Sequence, residues 1–191
     1  MEIKQLSILG RQIWGSGKLA LPQIIIRIGK IFGDICRWER NDAPGDRASE
    51  SELKKELGNM IFSTIRWCDD LGYDPEVCVN TAIEAQQNYR QTSVCVQGME
   101  IRQLLVAARQ IWPKRTLSQI IVRMGKVFGD ICRYARNEKN TDAASESELK
   151  KELGNMIFSS ICWCDDLGYD PEECVNLAVE AQKKYFKEYG G

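Results

Sequence analysis

Two charged stripes carry whatever chemistry this chain can perform. Arg27, Lys30, Asp34 and Arg37 follow one another at intervals of 3, 4 and 3 residues, which sets them on one face of a helix. Glu52, Glu56, Asn59, Ser63 and Arg66 form a second stripe of the same kind. Both recur further on, as Arg123, Lys126, Asp130 and Arg133 and as Glu148, Glu152, Asn155 and Ser159, with Cys162 where Arg66 would stand. Cations on one helix beside a carboxylate and an amide on the next suit either an anion site or a set of ion pairs. The plain alternative is a pair of solvated helix faces, whose surface ion pairs contribute little each.

Composition narrows the choice. The 191 residues include 26 basic and 27 acidic side chains and no histidine. Without imidazole there is no Ser-His-Asp or Cys-His catalysis and no Cys2His2 zinc site. A net charge of -1 gives no support for a nucleic-acid partner. No apolar run is long enough for a membrane span, and the first residues carry Glu2, Lys4 and Arg11 rather than a signal peptide. A cytoplasmic protein is the expectation. The 8 cysteines form no C-x-x-C pair, and most fall within apolar helical patterns. They read as free, mostly buried thiols of a reducing compartment.

The chain is an internal duplication. Residues 23–89 align without gaps to 119–185, with 50 of the 67 paired positions identical. Ser49–Ser63 reads SESELKKELGNMIFS, as does Ser145–Ser159, and MEIKQL at Met1 answers MEIRQL at Met99. Two units, 1–90 and 99–191, are joined by 91–98. Two copies are too few for a solenoid. They more readily form an intramolecular pseudo-dimer, with like faces meeting across an approximate two-fold axis.

Each unit reads as four helices, an all-α chain of eight. Met1–Trp14 is amphipathic. Ile24, Ile28, Ile31 and Ile35 keep helical spacing, and Asn41–Ala48 is a polar loop with Pro44 and Gly45. Ser49 stands three before Glu52, the capping-box pattern that opens a helix presenting Leu53, Leu57, Met60, Ile61, Ile65 and Cys68. Gly72 ends that helix, and Asp74-Pro75 caps and starts the next, which buries Cys78, Val79, Ala82 and Ile83. The tryptophans next to the polar stripe, Trp67 and Trp163, read first as packing and second as stacking surfaces for a base. The Gly15–Lys18 loop and its counterpart at Lys114-Arg115 are both basic and placed to rim a pocket.

With these residues in view, the chain resembles the MazG-like, all-α nucleoside triphosphate pyrophosphohydrolases. That family carries E-x-x-E on one helix and E-x-x-D on the next, and those acids hold the Mg²⁺ that binds the triphosphate. The matching segments here are Arg27-Ile28-Gly29-Lys30 and Glu56-Leu57-Gly58-Asn59, repeated at Arg123, Lys126, Glu152 and Asn155. Of the four acids only Glu56, or Glu152, remains. The family's Lys and Asn on the third helix fall on Ala82 and Gln86, or on Ala178 and Gln182. Mg²⁺ requires hard oxygen ligands, and each reversed charge at 4 Å costs about 4 kcal/mol at an effective dielectric near 20.

The resemblance therefore implies a catalytically inactive MazG-like fold that needs no cofactor. It would bind a phosphate-bearing nucleotide directly through Arg27, Lys30, Glu56 and Asn59 and their copies Arg123, Lys126, Glu152 and Asn155. Such a protein serves as a sensor, or as a sponge that sequesters a nucleotide signal. The second role would suit a viral antagonist of a host nucleotide-signalling defence. The alternative is a structural or protein-interaction module, with Arg27 and Lys30 paired to Glu56 and Glu52. Residual triphosphate hydrolysis ranks last, and further homo-oligomerisation stays open.

Overall fold

The computed structural model describes residues 1–41, 47–93, 96, 98–136 and 143–189. They form eight helices: α1 Ile3–Trp14, α2 Leu21–Asn41, α3 Arg47–Asp70, α4 Pro75–Arg90, α5 Ile101–Ile111, α6 Leu117–Arg136, α7 Ala143–Asp166 and α8 Pro171–Tyr189. Among the described residues there is no strand, only one bridge between Glu2 and Glu100. None of the described helices is long and apolar enough to cross a membrane.

Local signals behave largely as the sequence suggests. Gly72 and Gly168 leave α3 and α7 with φ of 80° and 81°, the left-handed region that glycine enters without a Cβ penalty. Asp74 caps α4 by accepting a hydrogen bond from the Glu76 N–H at 2.8 Å, with Pro75 in the first turn. The start of α3 differs. It begins at Arg47, so Ser49 lies inside the helix and the Ser49–Glu52 capping box does not mark its end. α7 likewise begins at Ala143, ahead of Ser145. Arg47-Ala48 and Ala143-Ala144 favour helix and extend it by two residues. Residues 42–46 of the expected loop lie outside the described residues. Cys95 also lies outside them, and the seven described cysteines are free, five buried and Cys36 and Cys132 partly exposed.

α3 and α7 form the centre. They pack on each other, and each is covered by a helix of the other repeat: α4 lies chiefly on α7, and α8 on α3, while α2 meets α6. The contacts come in reciprocal pairs. Phe32 of α2 closes on Gly125, and Phe128 of α6 on Gly29. The Ile3 N–H donates to the Met99 carbonyl at 3.0 Å, and the Ile101 N–H to the Met1 carbonyl at 2.9 Å. Being covered on several sides, α3 buries Met60, Ile61, Phe62, Ile65, Trp67 and Cys68, more than one apolar face.

Two glycines make that coverage close. A Cβ on Gly58 would stand 1.8 Å from the Cys174 carbonyl oxygen of α8, and one on Gly154 would stand 1.9 Å from the Cys78 carbonyl oxygen of α4. Neither neighbour is a flexible side-chain tip, so the helices would have to part. Gly33 on α2 has open space around it. Gly58→Ala is therefore expected to destabilise the protein by roughly 2–3 kcal/mol, the usual cost of overpacking. Gly33→Ala should stabilise it by about 0.5–1 kcal/mol through helix propensity. Urea unfolding of the two variants checks this, and equal midpoints would disprove the close contact.

Candidate anion-binding site

The second polar stripe is not solvated. Glu56 and Glu152 are only 7% and 4% exposed, because α8 and α4 lie across them. In the second repeat, Lys151 Nζ sits 3.3 Å from Glu152 Oε1, and Asn155 Nδ2 donates to Glu152 Oε2 at 3.1 Å. Gln86 Nε2, arriving on α4 from the first repeat, donates to Asn155 Oδ1 at 3.1 Å. The first repeat builds the same chain, Lys55 to Glu56, Asn59 to Glu56 and Gln182 to Asn59, at 3.3, 3.1 and 3.1 Å. Buried carboxylates and amides are tolerated here because each has a partner. Sequence reasoning named Gln86 and Gln182 but gave no sign that each serves the opposite repeat. Ala82 and Ala178, named beside them, are buried packing residues.

The first stripe faces outward. Lys30 bonds Asp34 at 2.9 Å and Lys126 bonds Asp130 at 2.8 Å, one turn along their own helices. Arg27 and Arg123 are exposed, and neither has a carboxylate partner among the described residues. The interhelical pairs from Arg27 and Lys30 to Glu52 and Glu56 do not form among the described residues. Lys55 satisfies both glutamates instead, at 2.7 and 3.3 Å.

A further guanidinium enters each site beside a tryptophan. Arg66 lies over Trp14 at 5.2 Å, with its Nε 3.7 Å from the wholly buried Asp70 carboxylate. Arg115 lies over Trp112 at 5.4 Å, with Nη1 3.9 Å from the equally buried Asp166. Helix α3 supplies Arg66, whereas Arg115 comes from the loop between α5 and α6, and Cys162 stands where Arg66 would. Arg11 and Arg109 secure the same aspartates at 2.9 and 2.6 Å. Both stacked arginines are held below their ordinary pKa, first by burial and then by like charges. Arg115 feels Arg123 and Arg90, and Arg66 feels Arg11 and Arg27, against the pull of the aspartates.

In the second repeat these groups line a cavity of ≈390 Å³ between α4, α6 and α7. Arg115, Arg123, Lys126 and Lys151 bring positive charge, and Glu152 is the one carboxylate in its wall. Trp112, Trp163 and Tyr89 add aromatic surface. No group of three or more His, Cys, Asp or Glu among the described residues is placed to hold a metal ion. Comparison with family models, with curated proteins and with solved structures returns no match.

Cys162 provides a check on this packing. Burial, reinforced by Asp166, pushes its thiol from 9.0 up to about 11. The folded state therefore resists the thiolate, and this contribution to stability is intact below pH 9 and lost as the pH climbs to about 11. The thermal midpoint should fall across that window, and fall less in Cys162→Ala. Parallel curves for the two proteins would rule out Cys162 as the titrating group.

Proposed function

We propose that this chain binds a phosphate-bearing nucleotide in the cationic cavity of its second repeat, as a catalytically inactive MazG-like protein. One observation carries the reading: Arg115 and Arg123 line one cavity with space for a ligand, where the charge of Arg123 opposes that of the half-buried Arg115. An anion relieves that opposition, and arginine presents a planar fork suited to phosphate. Tyr89, exposed at the cavity wall, offers a face on which a base can stack.

The family resemblance supports the same reading. The reciprocal contacts between repeats fit an intramolecular pseudo-dimer of two MazG-like units. In the resemblance, Gln86 and Gln182 fall at the position of the family's third-helix asparagine. The donors do not fit Mg²⁺, however. Of the acids that the resembled family uses, each site keeps one, Glu56 or Glu152, whose oxygens already face a lysine and an asparagine. Arg123 and Lys126 occupy the places of two ligands, so no metal-dependent step is assigned. Holding a nucleotide without turning it over is the work of a sensor or a sponge.

Calorimetry in EDTA tests this with nucleoside mono- and triphosphates, cyclic dinucleotides and ADP-ribose-type molecules. At least one should bind, and Arg115→Glu with Arg123→Glu should weaken it at least about tenfold. Failure of the whole panel to bind would refute the proposal. Release of pyrophosphate with Mg²⁺, abolished by Glu56→Ala with Glu152→Ala, would refute the inactive assignment.

A further inference from the structure

A second cavity adjoins the first. It has a volume of ≈670 Å³ and lies between the end of α4, the α5–α6 loop and the outer face of α6. The two cavities have three wall residues in common, Arg115, Arg123 and Lys126. The inner one holds the aromatic surfaces and the Glu152–Asn155–Gln86 chain. It is also lined by Trp163, whose buried indole N–H has no hydrogen-bond partner among the described residues. The outer one is walled by Pro113, Val122, Ser118 and Gln119, with Arg90 and Lys114; no carboxylate is among its described wall residues, and Glu39 accepts a hydrogen bond from one of them, Ser118.

From this arrangement we infer that the ligand is a dinucleotide, with its phosphates on Arg115, Arg123 and Lys126 and one nucleoside in each cavity. The inference rests on the nucleotide reading above and specifies its ligand. Phosphates belong where the cations are shared, and each flanking space is within the range of about 300–1,000 Å³ usual for small-molecule sites. A mononucleotide placed with its phosphates at this junction would leave one space unfilled.

Charge agrees with volume. Lys126 is answered by Asp130 at 2.8 Å. Arg115 approaches an aspartate that Arg109 already holds at 2.6 Å, and Arg123 has no carboxylate partner among the described residues. Arg109 divides its charge between Asp165 and Asp166, so Arg115 is loosely paired, Arg123 is unanswered, and Arg90 and Lys114 stand beside them in the outer wall, a cationic surplus suited to two phosphodiesters or a bridging pyrophosphate. A nucleoside triphosphate brings more negative charge than this but only one base. Charge and shape therefore rank the two ligand types in opposite orders.

That opposition makes the test decisive. Calorimetry in EDTA compares AMP, ATP, the linear dinucleotide pApA and cyclic di-AMP, together with the guanine counterparts. One dinucleotide should bind at least about tenfold more tightly than the mono- and triphosphates of its own base. Val122 lines the outer cavity alone and is exposed on α6, so Val122→Trp should fold normally. It should cost the dinucleotide about tenfold in affinity and leave the mononucleotide within about twofold. A triphosphate that binds most tightly, or a Val122→Trp variant that weakens both ligand types equally or neither, would overturn the dinucleotide. If nothing in the series binds, the nucleotide reading itself falls.

Discussion

The close backbone approach at Gly58 and Gly154 is the constraint on which the rest of the structure depends. A carbonyl group can come this near a helix only where no side chain projects. Seating α8 on α3 and α4 on α7 in this way lets each repeat's last helix close over the other repeat's polar stripe. Gln86 then meets Asn155, and Gln182 meets Asn59. The same seating delivers Tyr89 and Arg90 from the end of α4 to the walls of the second repeat's cavities. Neither site is complete within one repeat, so site geometry and inter-repeat packing are a single property.

Much of the fold could be read from the sequence because helix signals are local. The glycine exits, the Asp-Pro start and the apolar spacing each concern residues within two turns of one another. The exchange of last helices was not legible, since an amphipathic pattern tells which face is buried but not which helix covers it. The glycine of Glu56-Leu57-Gly58-Asn59 shows the same limit. In sequence it belongs to the site motif, but in space it is a packing contact. Burial of Glu56 and Glu152 was hidden for the same reason, because a polar stripe of this spacing ordinarily faces water. The structure divides the residues named from the sequence between a buried acid–amide chain and an exposed cationic edge.

The divergence between the repeats is informative where one change answers another. At one position the first repeat has Arg66 and the second has Cys162, yet both sites carry a guanidinium over a tryptophan near a buried aspartate. In the second it arrives from the loop, at Arg115. A wholly buried carboxylate needs positive charge nearby, and Arg11 or Arg109 already supplies one cation to each. Each of these divides its charge between two neighbouring aspartates, so the second cation completes the balance. Moving it from the helix to the loop also places it in the wall between the two cavities, where Arg66 of the first repeat has no counterpart among the cavity residues of the second.

The pattern of unanswered charge favours the proposed binding surface over an ordinary solvated one. Several cations of these helices are neutralised locally: Lys30 with Asp34, Lys126 with Asp130, Lys55 with Glu52. Arg27 and Arg123 are different. The residues three and four positions away, on either side, are Gln23, Ile24, Lys30 and Ile31 for the first, and Gln119, Ile120, Lys126 and Val127 for the second. No carboxylate is within reach along the helix, and the next cation adds repulsion. The carboxylates across the site, Glu56 and Glu152, are turned to lysines of their own helices. An arginine denied partners in this way, beside a second arginine whose pKa is depressed by burial and by like charge, is electrostatically incomplete. The proposed anionic ligand would supply the missing charge.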